Sequence, residues 1–257
     1  MSSYQYVIDN ATSLQITYQD ITNGTISRNG NITQGTVYGV RPYTIECSIP
    51  PYLDATDEDV RGLIAHLDKN ALVNAESINI GSTNTGLSYI TEYKGNASTT
   101  ALNDLTLCPL GRPGQANYAG QPGTVTPSIT HLTLGQTTGL IESSAVYFKT
   151  GDFIQLNNTT DERVYQVAGD VTGTGFYASG ISGLNVIDVP INRVYNTLSY
   201  INQFPTLGTP EVLVGSAVNF TVNLINKPRY TLAPGGPNNV MCQFQDNFVF
   251  AERMTND

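Results

Sequence analysis

Apolar and polar residues alternate with a period of two along much of this chain, as they do in strands with one buried face. The cleanest case is 43–49: Tyr43, Ile45, Cys47 and Ile49 share one face, Thr44, Glu46 and Ser48 take the other, and Pro50-Pro51 ends the run. Residues 217–224 repeat the pattern with Val218, Phe220, Val222 and Leu224, and 129–134 does so with Leu132 and Leu134. Shorter β-prone runs fill 4–40, where Asn23-Gly24 and Asn29-Gly30 predict hairpin turns. Further strands are expected at 77–80, 87–93, 145–148, 185–191 and 212–214. Asn226-Lys227-Pro228 interrupts the pattern, and Pro234-Gly235-Gly236-Pro237 predicts a compact turn before a last strand over 242–251, with Phe244, Phe248 and Phe250.

One stretch changes period. Val60, Leu63, Ile64 and Leu67 recur at i, i+3, i+4 and i+7, which predicts a helix over 57–68 whose apolar stripe packs on a sheet. Thr56 is the expected cap, Asp57, Glu58 and Asp59 supply negative charge to the first turn, and His66 and Lys69 supply positive charge to the last. Residues 152–156 and 163–171 predict a hairpin around the polar loop Asn157-Asn158-Thr159-Thr160-Asp161-Glu162, with Gly151 at a turn that uses positive φ.

These elements define an all-β protein with one short helix, built as two β-sandwich or barrel-like halves. The expected division is an N-terminal β domain over 1–95, a Gly/Pro-rich arm or linker over 96–126, and a C-terminal β domain over 127–257.

Composition narrows the partners. Charged residues are 13% of the 257, roughly half the usual share, while Thr and Asn make up about a fifth, so solubility rests on uncharged polar side chains. A net charge of −9 with scattered Lys and Arg argues against a nucleic-acid partner, since phosphate binding needs clustered cations. No apolar run approaches the ~18 residues of a membrane helix, and no signal peptide is recognisable. The seven Asn-x-Ser/Thr sequons are therefore read as by-products of an Asn/Thr-rich composition, in a protein made in a cytoplasm.

Candidate chemistry is sparse. Cys47, Cys108 and Cys242 lack the close spacing of a zinc or redox site, and Cys47 lies on an apolar face. His131 is one of two histidines and sits among threonines, as a solvated strand residue does. The acidic first turn of the helix is read as capping, because successive helical positions diverge by about 100° and do not converge on a metal. Glu142, Asp152, Asp161 and Glu162 cluster in sequence and could be assembled into a glycosidase pair, but strand ends and loops usually carry solvated charge. No Gly-x-Ser-x-Gly elbow and no Gly-Lys-Ser/Thr loop is present. The sequence therefore predicts no catalytic, cofactor-binding or metal-binding residues and no enzymatic activity.

The stretch 148–171, with Gly151-Asp152-Phe153-Ile154-Gln155-Leu156, a polar loop, and Arg163-Val164-Tyr165-Gln166-Val167 leading to Asp170-Val171, resembles a recurrent stretch of the phage distal tail family and its tail-tip and baseplate relatives. The order strand, Pro-rich turn, short helix, strand over 43–80 and the closing Phe248, Phe250, Glu252 pattern are also similar to that family. Residues 111–123 and 204–215 are longer than the family pattern. The resemblance implies a structural virion component, made in the host bacterial cytoplasm and resident in the tail. It also implies a homo-oligomeric ring with six-fold or three-fold order and contacts to tube, hub or fibre proteins. Some proteins of this wider group carry Cys-bound iron-sulfur clusters, but three separated thiols fall short of a four-Cys set. A carbohydrate- or receptor-binding β module, using some of the 15 Tyr as stacking surfaces, is the alternative. A surface-polysaccharide hydrolase is a minor one.

Overall fold

The computed structural model describes residues 2–18, 42–69, 75–82, 86–107, 131–156, 163–178, 183–193, 212–236 and 239–253, together with the backbone of 22–26 and 32–36. The protein is all-β, with antiparallel strands in several sheets and few short helices. There are three α-helices among the described residues, rather than the single one expected. None of the helices is long and apolar enough to cross a membrane.

The largest sheet has five strands in the order Ser13–Thr17, Thr44–Ser48, Phe248–Glu252, Phe220–Asn226, Glu76–Ile78. Its register sets Ile45 opposite Ile16 and Phe250, and Phe220 opposite Ile78, so the alternating apolar positions stack into one layer. Two of the five strands come from the C-terminal end of the chain. The halves are therefore not consecutive in chain order: the split at 96–126 gives way to an interleaved arrangement in which residues 218–252 complete the first core.

Helix α1, Ser3–Asp9, occupies a run that alternation assigns to a strand. Ser2 caps it by accepting the Gln5 N–H at 3.2 Å, and Tyr4, Val7 and Ile8 bury one face. Gln5 exchanges two hydrogen bonds with the backbone of Asn79, which replaces strand pairing as its tertiary anchor. Helix α2, Glu58–Lys69, follows the expected periodicity and buries Val60, Leu63 and Leu67, with Ile64 packed beside them. Its cap is Asp57, not Thr56. The Asp57 carbonyl accepts Arg61 N–H and its carboxylate accepts Asp59 N–H at 2.9 Å, while Thr56 donates its hydroxyl to Asp54.

The segment Leu87–Ile90, expected as a strand, is a 3₁₀ turn after Gly86. Residues 97–107, assigned by composition to the arm, form helix α3, Thr99–Asn103, and the strand Thr106–Leu107. Ala97, Ala101, Leu102, Leu105 and Leu107 enter a second core, so the ordered part of this half begins earlier than its glycines and prolines suggest. The remainder of the arm, 108–126, lies outside the described residues. The second core also takes in the four-stranded sheet Tyr177–Ala178, Leu184–Pro190, His131–Thr137, Thr106–Leu107.

The expected hairpin at 152–171 forms from Phe153–Leu156 and Val164–Gln166, entered through Gly151 at φ +96°. Its second strand is shorter than expected: Val171–Thr172 pairs instead with Val146–Phe148. The hairpin separates the two cores. Phe153 and Val164 face the first, whereas Ile154, Leu156, Tyr165 and Val167 face the second. A strand buried on both faces loses the inside/outside alternation, which accounts for its nearly continuous apolar run.

Two turns shift. Asn23-Gly24 lies inside the strand Thr22–Ile26, which pairs with Ile32–Thr36; Asn29-Gly30 falls between them, outside the described residues. Pro234 to Gly236 belongs to a strand, Tyr230–Gly236, that pairs with Asn239–Phe244 through a bulge. The expected last strand is consequently two strands in different sheets, Asn239–Phe244 and Phe248–Glu252, broken where Asp246 binds Arg229.

Candidate functional site: a buried joint and two exposed surfaces

The period-two pattern that buries Phe248 and Phe250 also carries Glu252 inward, where it is 4% exposed. A carboxylate there needs compensation, and four donors supply it. The Arg193 guanidinium grips both oxygens at 2.6 and 2.7 Å, the backbone N–H of Val164 donates to Oε1 at 3.0 Å, and that of Tyr43 to Oε2 at 3.2 Å. Arg193 also donates to the Val164 carbonyl and lies over the Tyr43 and Tyr165 rings, 4.7 and 5.2 Å from their centroids. Burial works against the Arg193 charge, but Glu252 outweighs it, and the guanidinium pKa is raised above its ordinary value. Burial likewise pushes the Tyr43 hydroxyl up to about 12, against the pull of Arg193 and of the Asn192 amide that donates to it at 2.8 Å.

These residues come from strands of both cores. Tyr43 immediately precedes the strand Thr44–Ser48 of the first sheet and Glu252 ends its strand Phe248–Glu252, Val164 and Tyr165 belong to the central hairpin, and Asn192 and Arg193 follow the strand Leu184–Pro190. The arrangement is a bidentate ion pair closing the joint between the cores. Arg193 carries no sequence signal of its own. Glu252 does, because a charge at the third inward position of a strand demands a buried cation.

Of the sequence-named carboxylates, the two that lie among the described residues, Asp152 and Glu142, bind different backbone groups. Asp152, 1% exposed, accepts the backbone N–H groups of Lys94 and Lys149 and so ties the hairpin entrance to the 93–95 segment. Glu142 accepts the Ser98 N–H at 3.0 Å at the approach to α3, and the Ser98 side chain and then its backbone N–H lower the Glu142 pKa. Asp161, Glu162 and Cys108 lie outside the described residues. His131 sits opposite Pro190 in the strand register. Cys47 and Cys242 are buried free thiols; burial pushes Cys47 up to about 12 and raises Cys242. No group of three or more metal-ligating side chains occurs among the described residues.

Two surfaces stand out. The first is an open polar groove of about 400 Å³ lined by Gly81, Ser88, Tyr89, Glu92, Tyr93, Val214, Gly215 and Ser216. Its floor depends on close backbone approach. A Cβ at Gly81 would lie 2.4 Å from the Ser216 Cα, and Gly215 has φ +61°. Tyr89 is 63% exposed beside it, whereas the Tyr93 hydroxyl is engaged with the Tyr147 carbonyl at 2.7 Å. The second surface is the distal part of the hairpin Tyr230–Gly236/Asn239–Phe244, where Leu232, Ala233, Pro234, Gly236, Asn239 and Val240 line an open apolar saddle.

Comparison of the sequence with family models and with curated proteins returns no match.

Proposed function

We propose that this chain is a structural virion protein of a bacteriophage tail tip or baseplate, a distal-tail-like or hub-adaptor component that links the tail tube to the hub or fibres. The observation that carries the reading is the likeness of 148–171 to the distal tail family, on a stretch that this fold uses as the hairpin shared by its two cores. A connector in a tail must keep its parts in fixed relation. A shared hairpin and a buried ion pair between the cores serve that end, because relative motion of the halves would expose Phe153 to one side, Tyr165 to the other, and unpair Arg193. Copies arranged around the tail axis with six-fold or three-fold order would then present equivalent surfaces to neighbouring tail proteins.

The distribution of tyrosine favours assembly over sugar stacking. Among the described residues Tyr4, Tyr43, Tyr147 and Tyr165 are in the core, and the strongly exposed Tyr52 and Tyr89 lie on different segments, before the strand Leu53–Asp54 and in the turn Leu87–Ile90. The polar groove gives the receptor-binding alternative its one specific support, since Tyr89 beside the Glu92 carboxylate and the Ser88 and Ser216 hydroxyls suits a glycan. Mass spectrometry of purified virions of the virus encoding the chain, with antibody labelling of the particles, tests the main reading. The expected result is the chain in the particle with label at the tail tip; absence from virions, or label on the capsid, overturns it.

A further inference from the structure

Along the hairpin Tyr230–Gly236/Asn239–Phe244 the register pairs Tyr230 with Phe244, Leu232 with Cys242 and Pro234 with Val240. Directly opposed residues share a face of the sheet, so these six side chains form one continuous face. Its base is the wall of the first core: Cys242 is fully buried, Phe244 is 9% exposed, and the Tyr230 ring packs on Phe244. Toward the edge strand and the tip the same face leaves the body: Leu232, directly opposite Cys242, is 54% exposed, and Val240 is 38% exposed. A core-facing surface thus continues into solvent. The strand Tyr230–Gly236 is also an edge, paired on one side only among the described residues.

Edges of free proteins are usually guarded by charge, above all Lys. Residues 230–245 contain no charged residue, and the charges that flank the hairpin are spent elsewhere: Arg229 pairs with Asp246 at 3.1 Å, Asp68, which accepts the Tyr230 hydroxyl, pairs with Lys227 at 3.0 Å, and Asp54 stands opposite Met241, on the other face of the sheet. The chain as a whole carries −9. Copies of so acidic a chain repel one another on the whole, and that repulsion is least, and desolvation most favourable, where a patch is both neutral and apolar. The hairpin tip meets both conditions. We propose that this tip, through Leu232, Pro234 and Val240, docks onto a second copy of the chain.

This deepens the assembly reading above and rests on it for the ring. Sedimentation velocity over a wide concentration range tests it on the full chain, comparing wild type with Leu232→Lys/Val240→Lys. Lysine lowers the net negative charge, so lost association cannot come from added overall repulsion. Wild type should sediment as an oligomer, the double variant should associate at least about tenfold more weakly with an unchanged melting profile at dilutions where both are monomeric, and Tyr52→Lys, an exposed aromatic elsewhere, should assemble as wild type. A monomeric wild type, or a double variant that assembles undiminished, overturns the proposal. Should the double variant misfold, hydrogen exchange of wild type decides: amides of 230–242 must gain protection as concentration rises, and equal exchange at both extremes sinks the contact. Monomeric protein that is nevertheless found in virions would end the hairpin proposal and leave the tail reading standing; an oligomer absent from virions would do the reverse.

Discussion

The joint and the hairpin tip invert the usual arrangement of a soluble protein. At the joint a full positive and a full negative charge lie inside, at 2% and 4% exposure; at the tip Leu232 and Val240 lie outside, in a segment without charge. Each is tolerable for a different reason. At the joint the carboxylate is satisfied from within, because each oxygen of Glu252 has two donors in the chain. The tip is incomplete, because the surface that continues the core has no core left to cover it. Completeness within the chain marks what holds the monomer together, and incompleteness marks where a partner is needed.

That contrast can be broken in four places. The largest effect belongs to the joint: Arg193→Ala or Glu252→Ala should cost about 3–5 kcal/mol, since each strands a buried charge, whereas Arg193→Met with Glu252→Leu should recover most of the loss. Urea unfolding measures both, and single variants costing less than about 1 kcal/mol would mean that the joint does not lock the cores. Leu63→Asp sharpens the same point, for it buries a charge with no provided partner. A loss of several kcal/mol is expected, and a melting temperature within a degree of wild type would show α2 to be peripheral.

Alkaline pH should attack the joint next. The folded state holds Tyr43 neutral up to about 12 while the unfolded chain ionises it near 10.0. Its contribution is therefore whole below the lower value and is lost as pH rises through the higher one, on the order of 2 kcal/mol. Stability measured from neutral to strongly alkaline pH should fall across that window, and Tyr43→Phe should fall less steeply. An identical slope in the variant would remove Tyr43 from the account. The smallest effect is expected at the tip. Leu232→Lys/Val240→Lys should change monomer stability by no more than about 0.5 kcal/mol, measured by urea unfolding under dilute conditions. A larger loss would make the tip part of the monomer's own core.

How far these features were legible depended on whether the cause was local. Alternation over 43–49 and the 3.6-residue stripe of α2 are local, and both elements lie where the pattern puts them. Residues 3–9 read as β-prone because Tyr, Val and Ile suit strands, yet the Ser2 cap and two side-chain bonds from Gln5 to Asn79 made a helix. Residues 242–251 read as one strand because Phe244, Phe248 and Phe250 keep parity across the break. The Arg229–Asp246 contact that marks the break joins positions far apart in pattern terms. Pairing across the chain left no local trace: nothing near residue 248 announces a strand beside residue 47. The joint was half legible, through Glu252 and not through Arg193.

The interleaved sheet has a consequence for synthesis. Tyr43 and Glu252 are 209 positions apart, and the strand Thr44–Ser48 is flanked by Ser13–Thr17, made before it, and by Phe248–Glu252, made long after it. A nascent chain therefore carries an open-sided first sheet while the roughly 200 residues between these strands are made, at roughly 5–20 residues per second. The second core, from 97 to 212, can close first. Ribosome-bound chains halted before residue 248 should accordingly hold a protease-resistant middle between labile ends, with the first half awaiting the last strand.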